Sequence, residues 1–218
     1  MKKNILCFGD SNTYGYDPYT GGRYGEEIRW TRLLQKKLGD RANLVEEGMN
    51  GRTSVFDDPL RECVSGMDAI ACCMYSHKPV DILLIMLGTN DAKERFGANA
   101  QCIGLGIKFL AEKALSLKDA WRDQKPTLVL IAPQAISRDY LKNEDMGLPM
   151  GPGCDKKTEM LPMEIKKWAD FLGAYFVNAD AEMKSPVDPV TYMHLTPQGH
   201  QEMAELLYRK LAEEWKLI

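Results

Sequence analysis

Three observations predict a doubly wound α/β fold, with a five-stranded parallel sheet and helices on both faces. Five apolar runs of strand length show little internal alternation, as strands covered on both sides do. Amphipathic stretches separate them, giving βαβα order. The residues able to do chemistry gather just after the runs, on the side where open parallel sheets bind ligands.

Each element has its own signal. Asn4–Phe8 is the first run and Ala42–Val45 a weaker second. Asp81–Leu87 (DILLIML) is the clearest, followed by Thr127–Ala132 (TLVLIA) and Ala174–Asn178 (AYFVN). Trp30, Leu33, Leu34 and Leu38 mark one helical face, with Gly39 as its C-cap. Ile103, Ile107, Leu110, Ala111 and Ala114 mark a second, and Met163, Trp168 and Leu172 a weaker third. Met203, Leu207 and Leu211 mark the last, with Thr196 as N-cap and Pro197 at the first helical position. The stretch from Pro133 to Thr158 (including GLPMGPGC) fits no period. It reads as an irregular insertion in a single domain spanning residues 1–218, either a surface excursion or a selectivity segment.

Composition narrows the function classes. Hydrophobic residues make up 44% and charged residues 27% of 218, the mixture of a soluble globular chain. Lys+Arg 28 against Asp+Glu 31 leaves a net charge of −3, with no basic excess for nucleic acid. The apolar runs are too short to span a bilayer. Gly9 and Asp10 end the first run too early for a secretory signal. Cys7, Cys63, Cys72, Cys73, Cys102 and Cys154 form no CxxC pair and suit reduced thiols in a cytoplasmic protein.

Four short stretches fall at or beyond strand ends. In Phe8-Gly9-Asp10-Ser11-Asn12-Thr13, Gly9 permits a tight turn and Ser11 stands at the sheet's carboxyl edge as a candidate nucleophile, its N–H directed at the same place. In Glu47-Gly48-Met49-Asn50-Gly51-Arg52-Thr53, a glycine lets backbone approach a substrate, with Gly48 and Gly51 competing for the role. In Gly88-Thr89-Asn90-Asp91, the Asn90 amide is an oxyanion donor. In His194-Leu195-Thr196-Pro197-Gln198-Gly199-His200, His194 is a candidate base just before the last helix.

Singly these stretches are weak signals. In this order the set resembles the GDSL/SGNH hydrolase family, and Arg29-Trp30-Thr31, Glu46-Glu47-Gly48 and Met86–Asp91 look most like its small arylesterase/acyltransferase branch. The resemblance covers nearly the whole chain outside Pro133–Thr158. It implies the flavodoxin-like SGNH fold, with Ser11 as nucleophile, His194 as base, and Ser11, Gly51 and Asn90 as the oxyanion hole. It implies short acyl esters as substrates, carbohydrate O-acetyl esters among them, with no metal and no cofactor. Partners are small-molecule esters, without nucleic acid or membrane, and a homo-oligomer stays open.

Two positions depart from the family pattern. Asn12 stands where the family name has leucine. The aspartate expected three residues before the histidine is Thr191, and the nearest carboxylate upstream is Asp188. Asp188, a backbone carbonyl or water are the alternatives for holding the imidazole.

Blander readings sit beside these. His200 reads as helix surface or a core hydrogen-bonder, and His77 as surface. Asp10 and Asp91 read as loop braces, and Trp30 as core. His194 and His200 complete no recognised metal spacing. Two other functions compete: a degenerate hydrolase that binds an acylated ligand without turnover, motivated by Thr191, and a flavodoxin-like mononucleotide binder, motivated by Ser11–Gly15 after the first strand.

Overall fold

The computed structural model describes all residues, Met1–Ile218. Five strands, β1 (Lys3–Gly9), β2 (Ala42–Gly48), β3 (Ile82–Met86), β4 (Leu128–Ala132) and β5 (Tyr175–Asn178), pair in parallel in the order β2-β1-β3-β4-β5. This is the doubly wound α/β fold the sequence predicts.

Alternate residues of each strand feed separate cores. On one face Leu6, Phe8, Leu83, Ile85, Leu128 and Leu130 meet helices α3 (Gly66–Ser76), α4 (Ala100–Ser116) and α7 (Leu161–Leu172). On the other, Ile5, Cys7, Ile82, Leu84, Val129, Ile131 and Val177 meet α2 (Trp30–Leu38), the single-turn α8 (Ala179–Glu182) through Ala179, and α9 (Pro197–Tyr208). Burial on both sides is why these runs lack polar alternation. No helix is long and apolar enough to cross a membrane.

The structure corrects several details. Strand β2 runs three residues past Val45, because Glu46, Glu47 and Gly48 pair with Cys7, Phe8 and Gly9. Both glutamates find partners there: Arg29 and Thr31 bind Glu46, and His77 and Cys73 bind Glu47. Helix α3 has no counterpart in the sequence reading; its mixed face (Ile70 and Met74 buried, Cys72 and Tyr75 exposed) gave no clean period. The buried face of α7 is Leu161, Glu164, Ile165 and Ala169, whereas Met163 is exposed. Thr196 caps α9 by accepting from the Gly199 N–H at 3.0 Å, as its sequence implies.

The 133–158 stretch is not irregular throughout. It holds a 3-10 turn (Tyr140–Lys142), the single-turn α5 (Gly147–Met150) and most of α6 (Cys154–Glu159). Tyr140, Met150 and Cys154 are buried in the core. The Tyr140 hydroxyl donates to the Gly151 carbonyl at 2.5 Å, and the Cys154 thiol reaches the Ala92 carbonyl at 3.1 Å. Its packing rests on a few anchors rather than on a period.

Candidate active site

The order of the sheet decides where the site lies. β1 sits between β2 and β3: the chain runs from β1 to β2 on one side, and then from β2 back across β1 to β3 on the other. The crevice beyond the carboxyl ends of β1 and β3 is therefore the topological switch point. Ser11 follows β1 and Asn90 follows β3, so the two flank that crevice.

Strand β1 ends at Gly9, Asp10 breaks it, and Ser11 opens the four-residue helix α1 (Ser11–Tyr14). Asp10 is the N-cap, accepting from the Asn12 N–H at 2.9 Å. Ser11 is thus the first helical residue, where the backbone N–H has no partner within the helix. Gly9 serves close packing: a β-carbon there would meet the Thr13 side chain and the Met86 carbonyl, at 2.1 and 2.9 Å.

The two competing glycines separate. A β-carbon on Gly48 would stand 2.1 Å from the Tyr14 nitrogen, so Gly48 lets β2 lie against α1. Gly51 has φ +83°, a conformation that favours glycine, and it lines the cavity with Ser11, Asn50, Asn90 and His194. Its N–H has no acceptor within the protein, and the Asn90 side-chain amide makes no internal hydrogen bond. Asp91, next to Asn90, accepts from the Ser54 N–H at 2.8 Å and from its hydroxyl, tying this turn to the Thr53–Ser54 loop. Burial pushes the Asp10 carboxyl up to about 7 and that of Asp91 up to about 6. Both brace loops, as expected from the sequence.

His194 comes from the other end of the chain. Its Nε2 lies 3.0 Å from Ser11 Oγ. Its Nδ1 lies 2.6 Å from the Thr191 hydroxyl, which lies 2.5 Å from Asp188 Oδ2. The backbone N–H groups of Val190, Thr191 and His194 also donate to Asp188, at 2.8, 2.6 and 3.0 Å. A carboxylate that takes three N–H donors only accepts, so the single Thr191 hydrogen points to it. Thr191 Oγ1 then accepts from Nδ1–H, which leaves the Nε2 lone pair facing Ser11. Burial pushes the imidazole down to about 4, against the opposing pull of the Asp188 charge.

None of the three alternatives for the imidazole's partner is met alone. Asp188 reaches the His194 imidazole only through Thr191, the residue that replaces the expected aspartate. Asn12 is the second residue whose part the sequence reading missed. Its Nδ2 donates to the Met193 carbonyl at 3.1 Å and its Oδ1 accepts from the Leu195 N–H at 2.9 Å. One amide thus clamps the backbone on both sides of His194. A polar residue at a buried position where leucine is usual was the available signal. The Tyr16 ring lies 4.6 Å from the imidazole.

The remaining candidates settle elsewhere. His200 is buried and accepts from the Trp30 N–H through Nδ1 at 3.3 Å, and burial pushes it down to about 3. Trp30 is core, its indole donating to the Asn12 carbonyl at 2.9 Å. His77 is partly buried and meets Glu47 at 2.8 Å.

The cavity above Ser11 and His194 measures about 380 Å³. Leu60, Met146, Pro149, Met150 and Met193 give it an apolar side, three of them from the 133–158 stretch. That places part of the stretch in the same cavity lining as Ser11 and His194.

The model of the GDSL-like lipase/acylhydrolase family matches residues 7–202. A carbohydrate acetylesterase of Sinorhizobium meliloti superposes with a TM-score of 0.88 at 29% identity, covering 98% of this chain and 100% of that one. An aryl esterase of M. smegmatis gives a TM-score of 0.85 at 28% identity, covering 96% and 98%. None of the curated proteins matches the chain.

Proposed function

Because this chain belongs to the GDSL-like lipase/acylhydrolase family, we propose that it is a serine esterase or acyltransferase, acting on short acyl esters through an acyl-serine intermediate. The observation that carries the reading is the unbroken hydrogen-bonded line from Ser11 Oγ through His194 and Thr191 to Asp188.

His194 Nε2 takes the Ser11 proton as Oγ attacks the ester carbonyl. The oxygen then carries negative charge, and the Ser11 and Gly51 N–H groups and the Asn90 amide donate to it. The imidazolium keeps its Nδ1–H on Thr191 Oγ1, whose own hydrogen stays on Asp188. The Asp188 charge stabilises the cation through one intervening hydroxyl. His194 next gives its proton to the departing alcohol, leaving acyl-Ser11. Water, or a second alcohol, attacks that ester with His194 again as base, releasing the acid or a new ester.

O-acetyl groups on a carbohydrate are the substrate we favour, in line with the sugar acetylesterase among the structural neighbours. The test is turnover of p-nitrophenyl acetate by wild type and Ser11→Ala, with fluorophosphonate labelling of each. We expect labelling at Ser11 and turnover that falls to background in the variant. Equal rates would overturn the reading in favour of a binding protein.

A further inference from the structure

Part of the cavity lining carries positive charge that acyl transfer leaves unused. Asp58 is buried, and both its oxygens are occupied. Arg95 donates from Nε and Nη2 to the two oxygens, each at 3.0 Å. Lys93 Nζ adds a bond to Oδ2, and the Leu60 N–H one to Oδ1, also at 3.0 Å. One carboxylate thus holds two cations.

A tight turn closed by the Arg61 N–H on the Asp58 carbonyl, at 3.0 Å, brings in a third. The Arg61 guanidinium is exposed and has no hydrogen bond or ion pair within the protein. It lies over Gly51, where a β-carbon would stand 2.9 Å from its Nη1. Its charge reaches Lys93 and adds to the downward push that burial exerts on that ammonium. The other charged group of the lining is Asp145, exposed and unpaired. Three cations therefore face two carboxylates here, although the chain as a whole carries −3. A cleft with low-dielectric walls focuses such a surplus on whatever enters it.

We propose that Arg61, backed by Lys93 and Arg95, makes the site selective for esters that bear a carboxylate or another single anion close to the scissile carbonyl. The inference rests on the esterase reading and names its substrate class. A guanidinium offers a planar fork that matches a carboxylate in two bonds, and this fork is unclaimed beside a proposed oxyanion donor.

The test compares kcat/KM within matched pairs: 4-acetoxybenzoate against 4-acetoxybenzamide, and phenyl hydrogen succinate against phenyl butyrate. The enzymes are wild type, Arg61→Ala, Arg61→Glu and Asp145→Asn. Comparing each anionic-to-neutral ratio across enzymes cancels intrinsic reactivity. Arg61→Ala should lower the ratio about fivefold in at least one pair, the effect of one partly exposed ion pair. Arg61→Glu should lower it further, Asp145→Asn should raise it, and high salt should shrink every difference. The pair that responds reports whether the anion lies on the alcohol or the acyl side. Ratios that stay the same in wild type and both Arg61 variants, for both pairs, overturn the inference. Wild type that turns over neither member of either pair, or Ser11→Ala that turns both members over at the wild-type rate, overturns the esterase reading and this inference with it.

Discussion

The two halves of the site are held by different means. Ser11, Gly51 and Asn90 stand at or soon after the ends of β1, β2 and β3, so parallel ladders fix the segments that carry them. His194 stands in the 183–196 stretch, which has neither helix nor strand and only an isolated bridge between Val187 and Leu195. Side chains hold that half: Asp188 gathers three backbone N–H groups and the Thr191 hydroxyl, and Asn12 reaches across from α1. A half built on backbone loses one function when one side chain is removed. A half built on side chains loses position as well.

The largest expected effect separates the halves directly. Asp188→Asn removes the charge and places an amide among N–H donors, so kcat should fall by about 10⁴, the cost of losing a triad aspartate in serine proteases. Thr191→Asp alone, by contrast, buries a second carboxylate against Asp188 and should also lower kcat. In the Asp188→Asn background it should recover part of the loss. Ester kinetics on the two single variants and the double variant give the answer, and a wild-type rate in Asp188→Asn would remove Asp188 from the scheme.

On the backbone half, Asn90→Ala deletes one proposed oxyanion donor and should cost about 10²–10³ in kcat. The fold should be unaffected, because the Asn90 amide makes no internal bond. A fall in Tm equal to that of Asp188→Asn would erase the contrast between the halves.

Acidity gives a third test. In the proposed role of base His194 works only when neutral, and burial pushes it down to about 4. Lowering the pH through about 4 protonates it, so kcat/KM should stay level above that value and fall about tenfold per pH unit below it. A midpoint near the ordinary histidine value of about 6.5 would mean that the imidazole is better solvated than its burial implies.

The smallest effect concerns the clamp. Asn12→Leu restores the family residue but leaves the Met193 carbonyl and the Leu195 N–H without partners, at about 1–3 kcal/mol for each buried group. Thermal melts should show the loss, and kcat should fall less than in Asp188→Asn. An unchanged Tm would mean that the 183–196 stretch is held without Asn12.

The sheet, four of the five longer helices and the four residues that line the crevice were all legible in the sequence. Their signals are local: an apolar run such as Ile82–Leu87 is buried on both faces whatever surrounds it, and a serine or asparagine just after such a run is placed by the strand. Helix α3 escaped because its buried residues, Ile70 and Met74, are interleaved with cysteines and a tyrosine of intermediate polarity. Other features depend on contacts between distant segments. Thr191 reads as the loss of an acid until Asp188 folds back over it, and Asn12 reads as a tolerated exchange until residues 181 and 183 positions away reach it. Nothing in the sequence singles out Arg61, which a turn lays over Gly51. Period and strand ends are written in neighbouring residues. A hydrogen bond between distant segments exists only once the sheet has brought them together.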